Sequence, residues 1–409
     1  MQNLEFPDND SQLTVLQMLP ALDGGGVERG TLDVGRHLVR HGHRSLVVSA
    51  GGRLVSRLTE EGSVHLAMEV GKKSPAILRY LLPLRRLLLQ ERIDVLHLRS
   101  RVPAWIGYLA WKSLSPARRP VLVTTFHGFY SVNGYSAIMT RGQAVIAVSE
   151  AVRHHIVKRY PRTRQVVTIH RGVDIEAFSP HRVAKDRLDA LRRQWRLQAD
   201  TLCIMLPGRF TRWKGQELFL TSLAMLKGLD FQAVLVGDPA ENEHYAAKLR
   251  KLIAQNGLVS RVKMVGHCTD MPAAYLLADL VVSASSGQAE AFGRVSVEAM
   301  AMARPVVATA HGGSLETVAP NETGWLVEPG NPEAMAGAIG AACGLSRRQR
   351  AEMGERGRQR VASMFTTETM CRATLSLYKD LVQSKVQDGH ESTRSGLVQS
   401  LRRWWLGSI

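Results

Sequence analysis

The sequence is poor in cysteine and in aromatic residues, and it has no long apolar run. Its 409 residues include four cysteines, which lie far apart and form neither a CxxC pair nor a Cys/His cluster. This spacing excludes a zinc framework and a disulfide scaffold. No apolar run reaches the roughly 18 residues of a membrane-spanning helix, and the first ten residues carry acidic but no basic side chains, unlike a secretion signal. We therefore expect a protein of the reducing cytoplasm without a membrane span.

Acidic residues are fewer than basic ones, and the basic excess is uneven. The formal net charge is +17, with 24 Lys and Arg against 14 Asp and Glu in residues 1–180 and 29 against 22 in the remainder. Such a surface attracts nucleic acid, anionic lipid or phosphorylated substrates. The sequence has no helix-turn-helix, RNP or KH pattern and only 6% aromatic residues, so we do not expect a nucleic-acid partner.

Apolar runs typical of strands alternate with helical segments in two series. The first series extends from "LTVLQML" to "QVVTIHRGV" and the second from "TLCIMLPGR" to "GWLVEP". This alternation predicts an α/β protein with two Rossmann-like domains of parallel strands. The expected division is an amino-terminal domain (11–180), a linker (181–198), a carboxy-terminal domain (199–365), a helix returning to the first domain (366–385) and a flexible basic and aromatic tail (386–409).

The first strand of each series is followed by a loop suited to anions, at the strand end where parallel sheets bind ligands. Gly24 to Gly26 lead into a helix and could cradle a phosphate, but the P-loop and GxGxxG spacings are missing, so a tight turn is an equally good interpretation. In the second series Arg209 and Lys214 lie between strand and helix, where cations suit a diphosphate. A solvated basic loop is the alternative there.

Two further titratable residues follow predicted strands. His127 ends the strand in "TTFHGFY", where it is either functional or a hydrogen-bonded structural residue. Glu316 lies in the first turn of a helix after "HGGSLETV", where an acidic residue commonly compensates the helix dipole. The pattern leaves both roles open.

Two carboxylates, Glu290 and Glu298, lie eight residues apart in "EAFGRVSVE". Gly293 marks the change from loop to helix, so Glu290 is expected in the loop and Glu298 on the helix. Eight helical residues rise about 12 Å, which makes a shared proton or a tight glycosidase pair doubtful. A clamp on an extended ligand fits better, and an i,i+4 ion pair between Glu298 and Arg294 is the alternative.

In their order and spacing these segments resemble the retaining nucleotide-sugar glycosyltransferases of family 4, over about Leu13 to Lys385. The E-x7-E signature of that family matches Glu290 and Glu298. The resemblance implies the GT-B architecture, in which two Rossmann-like domains face each other across a cleft. It also implies transfer of a hexose from a nucleotide diphosphate sugar, such as UDP- or GDP-sugar, to an acceptor hydroxyl with retention of anomeric configuration.

The resemblance also assigns residues to the donor. Glu290 would hold hydroxyls of the transferred sugar and His127 would touch the sugar or its phosphate, which makes these two the expected catalytic residues. Glu298 would hold the ribose hydroxyls. The remaining donor-binding positions, which supply cations and backbone amides to the diphosphate, are Gly25, Gly26, Arg209, Lys214, Gly293 and Val295.

No metal and no other cofactor is expected. The family binds its diphosphate without a metal, and the only Asp-x-Asp, Asp8 to Asp10, precedes the first strand. One departure from the family is "HRGVD", in which Arg171 replaces the usual Asn. An extra cation at this position could favour an acidic acceptor.

Two basic segments have the composition of interfacial membrane segments. They are "ILRYLLPLRRLLLQER" at 77–92, interrupted by Pro83, and the terminal "LRRWWLGSI" with Trp404 and Trp405. The alternatives are a core helix with a basic edge and a disordered end. Likeness to lipopolysaccharide-core and envelope-polysaccharide enzymes adds to the hypothesis of a peripheral enzyme at the inner face of the cytoplasmic membrane, acting on a lipid-linked saccharide.

Three other functions fit parts of the sequence. The acceptor could be a soluble sugar, because relatives that act on soluble sugars share the carboxylate clamp. A nucleotide-sugar epimerase of the same fold would bind the same donor without an acceptor. A non-catalytic basic protein that binds membrane or nucleic acid would need neither.

Overall fold

The computed structural model describes the backbone of residues 12–406 and the side chains of residues 12–387. The chain forms two compact units. The amino-terminal unit contains the residues up to Ala147, His155–Ile169 and the chain from Cys371, and the carboxy-terminal unit contains Val148–His154 and His170–Met370. Each unit has one wholly parallel sheet, which confirms the predicted α/β class with two Rossmann-like domains.

The amino-terminal unit has a seven-stranded sheet. Its strands are β1 (Thr14–Met18), β2 (Arg44–Ser49), β3 (Val64–Ala67), β4 (Val95–Leu98), β5 (Val121–Phe126), β6 (Ala144–Ala147) and β7 (Gln165–Thr168). Their order is β3-β2-β1-β4-β5-β6-β7, so it reverses between β1 and β4. The helices in this part of the chain are α1 (Gly26–Arg40), α2 (Val55–Glu60), α3 (Leu81–Gln90), α4 (Arg101–Lys112) and α5 (Glu150–Arg159), with short 3₁₀ helices at Pro75–Tyr80, Pro116–Arg118 and Ser136–Thr140.

The central strands of this sheet are buried along their whole length. Every residue of β1, β4 and β5 is buried. Parallel strands covered on both faces are expected to be continuous apolar runs rather than alternating ones. This is why the apolar runs of the sequence marked these strands correctly.

The carboxy-terminal unit has a six-stranded sheet. Its strands are β8 (Leu202–Pro207), β9 (Phe231–Val236), β10 (Val262–Met264), β11 (Leu280–Ser283), β12 (Val306–Thr309) and β13 (Gly324–Val327). Their order is β10-β9-β8-β11-β12-β13, which reverses between β8 and β11. The helices are α6 (Lys185–Gln194), α7 (Gln216–Ala224), α8 (Glu243–Gln255), α9 (Met271–Leu277), α10 (Arg294–Ala301), α11 (Ser314–Thr317), α12 (Pro332–Gly344) and α13 (Arg347–Met364), with 3₁₀ helices at Pro180–Arg182, Arg212–Lys214 and Pro239–Asn242.

The predicted linker at 181–198 is part of the carboxy-terminal unit instead. It contains α6, and Leu191, Trp195 and Leu197 are buried in the hydrophobic core of that unit. Because the segment has many charged residues, the sequence pattern did not reveal these apolar positions. The units also divide near residue 170, rather than at 180.

The last helix, α14 (Thr367–Leu406), belongs to the amino-terminal unit from Cys371 onward. The hydroxyl of buried Tyr378 lies 2.6 Å from Nδ1 of His97 in β4. The helix continues through the tail predicted to be flexible, because no proline after Pro332 interrupts its backbone hydrogen bonds. The side chains of Trp404 and Trp405, and the segment Asp8 to Asp10, lie outside the described residues.

The basic segment at 77–92 has one buried and one exposed face. Pro83 lies in the first turn of α3, where a missing N–H costs no hydrogen bond. Leu84 and Leu88 are buried, whereas Leu78 and Leu82 are more than half exposed. In the described part of the chain, every helix is too short or too polar to cross a bilayer.

Candidate active site

The candidate active site lies at the carboxyl ends of β8, β11 and β12 in the carboxy-terminal unit. The strand order reverses between β8 and β11, and ligands of open parallel sheets bind at such switch points. Lys214 follows β8, Glu290 follows β11 and His311 follows β12. Residues from three loops are therefore collected at one edge of the sheet.

The loop between β8 and α7 depends on Gly215. This residue has a φ of +74° and caps α7, and a Cβ atom there would overlap the carbonyl oxygen of Ala284. Only glycine allows both the left-handed conformation and this close approach. The side chain of buried Gln216 donates to the carbonyl oxygen of Arg209 at 2.9 Å, which holds the two ends of the loop together.

Lys214 and Glu290 form a partly buried ion pair. Lys214 Nζ lies 2.5 Å from Glu290 Oε1, and the two side chains are 16% and 13% exposed. Ser285 Oγ donates to the same carboxylate oxygen at 3.0 Å, and the Trp213 ring centroid is 4.1 Å from Lys214 Nζ. A cation and a hydrogen-bond acceptor thus converge at one point, which suits a ligand with a phosphate next to sugar hydroxyls.

Arg209 is the second predicted cation of this loop. Its side chain is exposed and makes no ion pair with any residue whose side chain the structure describes. An exposed guanidinium beside a helix N-terminus can turn toward an anion without breaking an existing contact.

The N-termini of α10 and α11 lie close together at Gly293. This glycine has a φ of +86° and caps α10, and a Cβ atom there would lie 3.2 Å from Thr317 Oγ1 and 3.7 Å from Ser314 Oγ. Val295 lies in the first turn of α10, whose N–H groups include donors without a partner in the helix. Among the described residues the buried hydroxyls of Ser296 and Ser314 have no hydrogen-bond partner. These groups form a surface suited to an anion.

Glu298 lies on α10 and is 8% exposed. Tyr275 OH donates to its Oε2 at 2.9 Å and Arg294 Nε donates to its Oε1 at 2.6 Å. Burial, followed by the nearby Glu298 carboxylate, raises the pKa of Tyr275 well above its ordinary value, so Tyr275 remains a donor. The i,i+4 pair with Arg294 is thus present, together with a second partner that the sequence did not suggest. Glu290 and Glu298 contact different residues.

His311 follows β12 and was not predicted as a site residue. Burial lowers its pKa, although a hydrogen bond to the Ser285 backbone and the charge of Glu290 act in the opposite direction. Its buried Nε2 has no hydrogen-bond partner among the described residues. A neutral imidazole near Glu290 can therefore donate to or accept from a ligand hydroxyl.

Comparison with known proteins identifies the family. The family described as "Glycosyl transferases group 1" matches residues 189–360, and "Glycosyltransferase Family 4" matches residues 24–177. The crystal structure of a glycosyltransferase from Rickettsia africae is 33% identical with a TM-score of 0.83, over 91% of this chain and 99% of that one. The chain belongs to the glycosyltransferases. The predicted GT-B fold is confirmed by this likeness.

Two further relatives of this glycosyltransferase are a structure with bound UDP and a curated protein that matches over about half its length. The structure of HepE from Anabaena in complex with UDP is 25% identical with a TM-score of 0.77, over 90% of this chain and 100% of that one. D-inositol 3-phosphate glycosyltransferase 1 from Catenulispora acidiphila is 32% identical over 220 residues, 51% of each chain. The match spans between 51% and 61% of the length of this relative and of three similar curated ones.

In the glycosyltransferase's amino-terminal unit, the predicted residues also follow strands. Gly25 caps α1 and Gly26 is its first residue, directly after β1. His127 follows β5 and is partly buried, and its backbone N–H lies 3.4 Å from the Tyr130 hydroxyl. Because β4 lies between β1 and β5, the glycines and His127 are not on adjacent strands. Buried Arg99, which follows β4 and donates to Gln17 Oε1 at 2.7 Å, lies between them in the strand order.

Glu316, whose role the sequence left open, caps a helix other than its own. Its carboxylate accepts from the backbone N–H groups of Glu150 at 2.7 Å and Ala151 at 2.9 Å, at the start of α5, and lies 2.8 Å from His170 Nε2. Burial acts to raise the pKa of Glu316, but these hydrogen bonds together lower it. Arg171, the other open residue, is partly buried in the loop after β7.

Sequence reasoning missed Ser285, His311, Ser314 and Tyr275. The first three come shortly after an apolar strand run. The rule that residues after strands bind ligands, which marked Lys214 and His127, could therefore have found them. Tyr275 lies on α9, 23 residues before Glu298, and no local pattern connects the two.

Proposed function

We propose that this chain transfers a hexose from a nucleotide diphosphate sugar, UDP- or GDP-linked, to an acceptor hydroxyl with retention of anomeric configuration. The observation that carries the proposal is the Lys214–Glu290 pair at the switch point, beside the N-terminus of α10. A diphosphate sugar presents phosphates and hydroxyls side by side, which matches this cation and carboxylate. The UDP bound by the Anabaena relative supports the same donor class.

In this mechanism the site residues of the carboxy-terminal unit have distinct roles. Lys214, Arg209 and the N–H groups of the first turn of α10 bind the diphosphate and stabilise the charge that grows on it as the bond to the sugar breaks. Glu290 accepts hydrogen bonds from the sugar hydroxyls, and Ser285 donates a hydrogen bond to them. Lys214 turns from Glu290 toward the phosphate.

The carboxylate of Glu298 holds the ribose hydroxyls. Its two present partners, Tyr275 and Arg294, hold the carboxylate in a fixed orientation without a ligand. Gly25, Gly26 and His127 of the amino-terminal unit are further donor contacts in this mechanism, and His127 is directed at the sugar or its phosphate.

The chain's own cations replace a metal in this mechanism. Lys214 and Arg209 flank the loop after β8, and two helix N-termini converge near Gly293. Fixed positive potential of this kind stabilises a leaving diphosphate in the way that a divalent cation does in other enzymes.

Calorimetric titration with UDP, GDP and ADP, each without and with magnesium, tests the donor site. We expect one nucleotide to bind clearly, with an affinity that magnesium does not change. Lys214→Met should weaken that binding, whereas Lys248→Met, which removes an exposed lysine paired with Glu217, should not. If none of the three nucleotides binds, the donor assignment is wrong. The anomeric configuration of the product, measured by NMR, tests retention separately.

For the acceptor, we propose a lipid-linked saccharide, such as a lipopolysaccharide core, at the inner face of the cytoplasmic membrane. The support is the exposed face of the segment at 77–92. Leu78 and Leu82 are 53% and 60% exposed, and Arg79 and Arg86 beside them are also exposed. Exposed leucines with flanking arginines suit the interface of an anionic bilayer.

Sedimentation with anionic and neutral vesicles tests the membrane contact. The protein should sediment with anionic vesicles at moderate salt, and the double variant Leu78→Ser, Leu82→Ser should lose this binding. Leu315→Ser is the matched control, because Leu315 is 56% exposed on the other unit. A wild-type protein that ignores anionic vesicles would rule out this acceptor setting and leave the donor assignment unaffected.

A further inference from the structure

A cavity of about 870 Å³ opens at the amino ends of the strands in the carboxy-terminal unit. Its lining includes Leu202 and Cys203 at the start of β8, Gln232 on β9, and Pro305 directly before β12. The candidate active site lies at the opposite ends of these strands. A six-residue strand such as β8 is roughly 20 Å long, so the cavity and the candidate active site are distinct.

The wall of this cavity is rich in arginine. Five arginines and three carboxylates line it: Arg192, Arg304, Arg347, Arg350 and Arg358, with Asp200, Asp279 and Glu355. Two of the carboxylates have partners already. Glu355 pairs with Arg358 at 2.9 Å, and Asp279 accepts from the backbone N–H of Cys203 at 2.9 Å.

Arg192 and Arg358 form ion pairs with Asp189 and Glu355, and Arg350 donates to the backbone carbonyl oxygens of Cys343 and Leu345. The two remaining cations are Arg304 and Arg347. In the part of the chain with described side chains, neither has a carboxylate within ion-pair distance, and the only hydrogen bond of the Arg304 side chain runs from Nε to the carbonyl oxygen of Met302 at 3.2 Å. Burial lowers the pKa of Arg304, Asp279 opposes this, and the like charge of Arg347 lowers it further. The Arg304 guanidinium nevertheless stays charged at neutral pH.

The backbone holds Arg304 in place at this site. Ala303, which also lines the cavity, has a φ of +53°, a conformation that is costly for a residue with a Cβ atom. Its carbonyl oxygen packs against Gly354 of α13, where a Cβ atom would overlap it. The turn from α10 into β12 therefore fixes the start of the Arg304 side chain. Arg347, at the start of α13, lines the same cavity.

We propose that this basic cavity binds a small ligand with a phosphate or diphosphate group, held between Arg304 and Arg347. Two like charges that form no ion pair of their own repel each other, and a bound anion reduces that repulsion through charge-assisted hydrogen bonds. The volume lies within the range of about 300–1,000 Å³ typical of small-molecule sites, so it has room for a body attached to the phosphate. The amide side chains of Gln198 and Gln232 also line the cavity and can bind the polar part of that body. This site does not depend on the proposed transferase function.

Calorimetric titration with inorganic pyrophosphate tests the site. A salt concentration of about 150 mM screens unspecific binding to the protein surface. Arg347→Gln and Arg304→Gln should each raise the dissociation constant at least about tenfold, since each removes a charge-assisted contact. Arg348→Gln is the matched control, because Arg348 is exposed, pairs with Glu352 and does not line the cavity. Arg347 is exposed, so its variant keeps the test decisive if Arg304→Gln fails to fold.

The candidate donor site can also take pyrophosphate, and Lys214→Met separates the two. We expect a binding event that survives in Lys214→Met and is lost in Arg347→Gln. The site is ruled out if pyrophosphate does not bind, if Arg347→Gln binds it like the wild type, or if Lys214→Met removes all binding. A failed donor assignment would leave the result for Arg347→Gln unchanged, so the two proposals fail independently.

Discussion

Replacing Glu298 by glutamine tests the proposed ribose contact most directly. The substitution keeps the shape of the side chain and removes its charge. A hydrogen bond to a charged group contributes about 1.5–3 kcal/mol, compared with about 0.5–1.5 kcal/mol for a neutral pair. Two ribose hydroxyls would each lose about 1 kcal/mol, so nucleotide binding should weaken by about 2 kcal/mol, or roughly thirtyfold.

The structure also defines the competing expectation. If Glu298 serves only its i,i+4 pair with Arg294, which is 2.6 Å long, glutamine should cost a few tenths of a kcal/mol of stability through that pair and leave nucleotide affinity unchanged. The buried hydrogen bond from Tyr275 adds to the stability cost in either case, because its acceptor becomes neutral. Affinity, rather than stability, therefore distinguishes the two roles.

The assay is calorimetric titration of the bound nucleotide against wild type and variant, with thermal unfolding as the check on folding. Glu352→Gln is the matched control, since Glu352 is half exposed and takes part in an equivalent i,i+4 pair with Arg348. A folded Glu298→Gln protein whose affinity stays within about twofold of the wild type would refute the ribose assignment.

Three further predictions concern the same unit. Gly215→Ala should lower the free energy of unfolding by more than the about 1–2 kcal/mol expected for a left-handed alanine alone, because the new Cβ atom would overlap Ala284. Gly287→Ala is the control, because Gly287 has the same φ of +74° with open space around it and its variant shows the backbone cost alone. Equal losses of unfolding free energy for the two variants in urea would contradict this prediction. Glu316→Gln should cost about 1–2 kcal/mol at neutral pH. Because the folded-state pKa of Glu316 is lowered, that difference should shrink as the pH falls below about 4.3, and a cost independent of pH in acid titrations would argue against the cap. Removal of divalent metal with EDTA should leave nucleotide affinity unchanged, and a loss restored by magnesium would overturn the metal-free mechanism.

Much of the fold was predictable because its signals are local. Buried parallel strands are continuous apolar runs, and the glycines before α1, α7 and α10 mark changes from loop to helix. The predictions failed where a local pattern was ambiguous. The segment at 181–198 has many charges, yet Leu191 and Trp195 anchor it in the core, and the polar tail contains no residue that must end a helix.

The sequence by itself determined the α/β class, the two series of strands and the candidate donor residues that follow them. Only the tertiary structure decided which of these residues meet. Lys214 and Glu290 are 76 residues apart, Glu316 caps a helix that begins 166 residues earlier, and Arg304 and Arg347 line one cavity. Such contacts depend on the order of strands in the sheet, because neighbouring strands bring together loops that are distant along the chain. That order arises from packing of the whole unit, and no short stretch of sequence contains it.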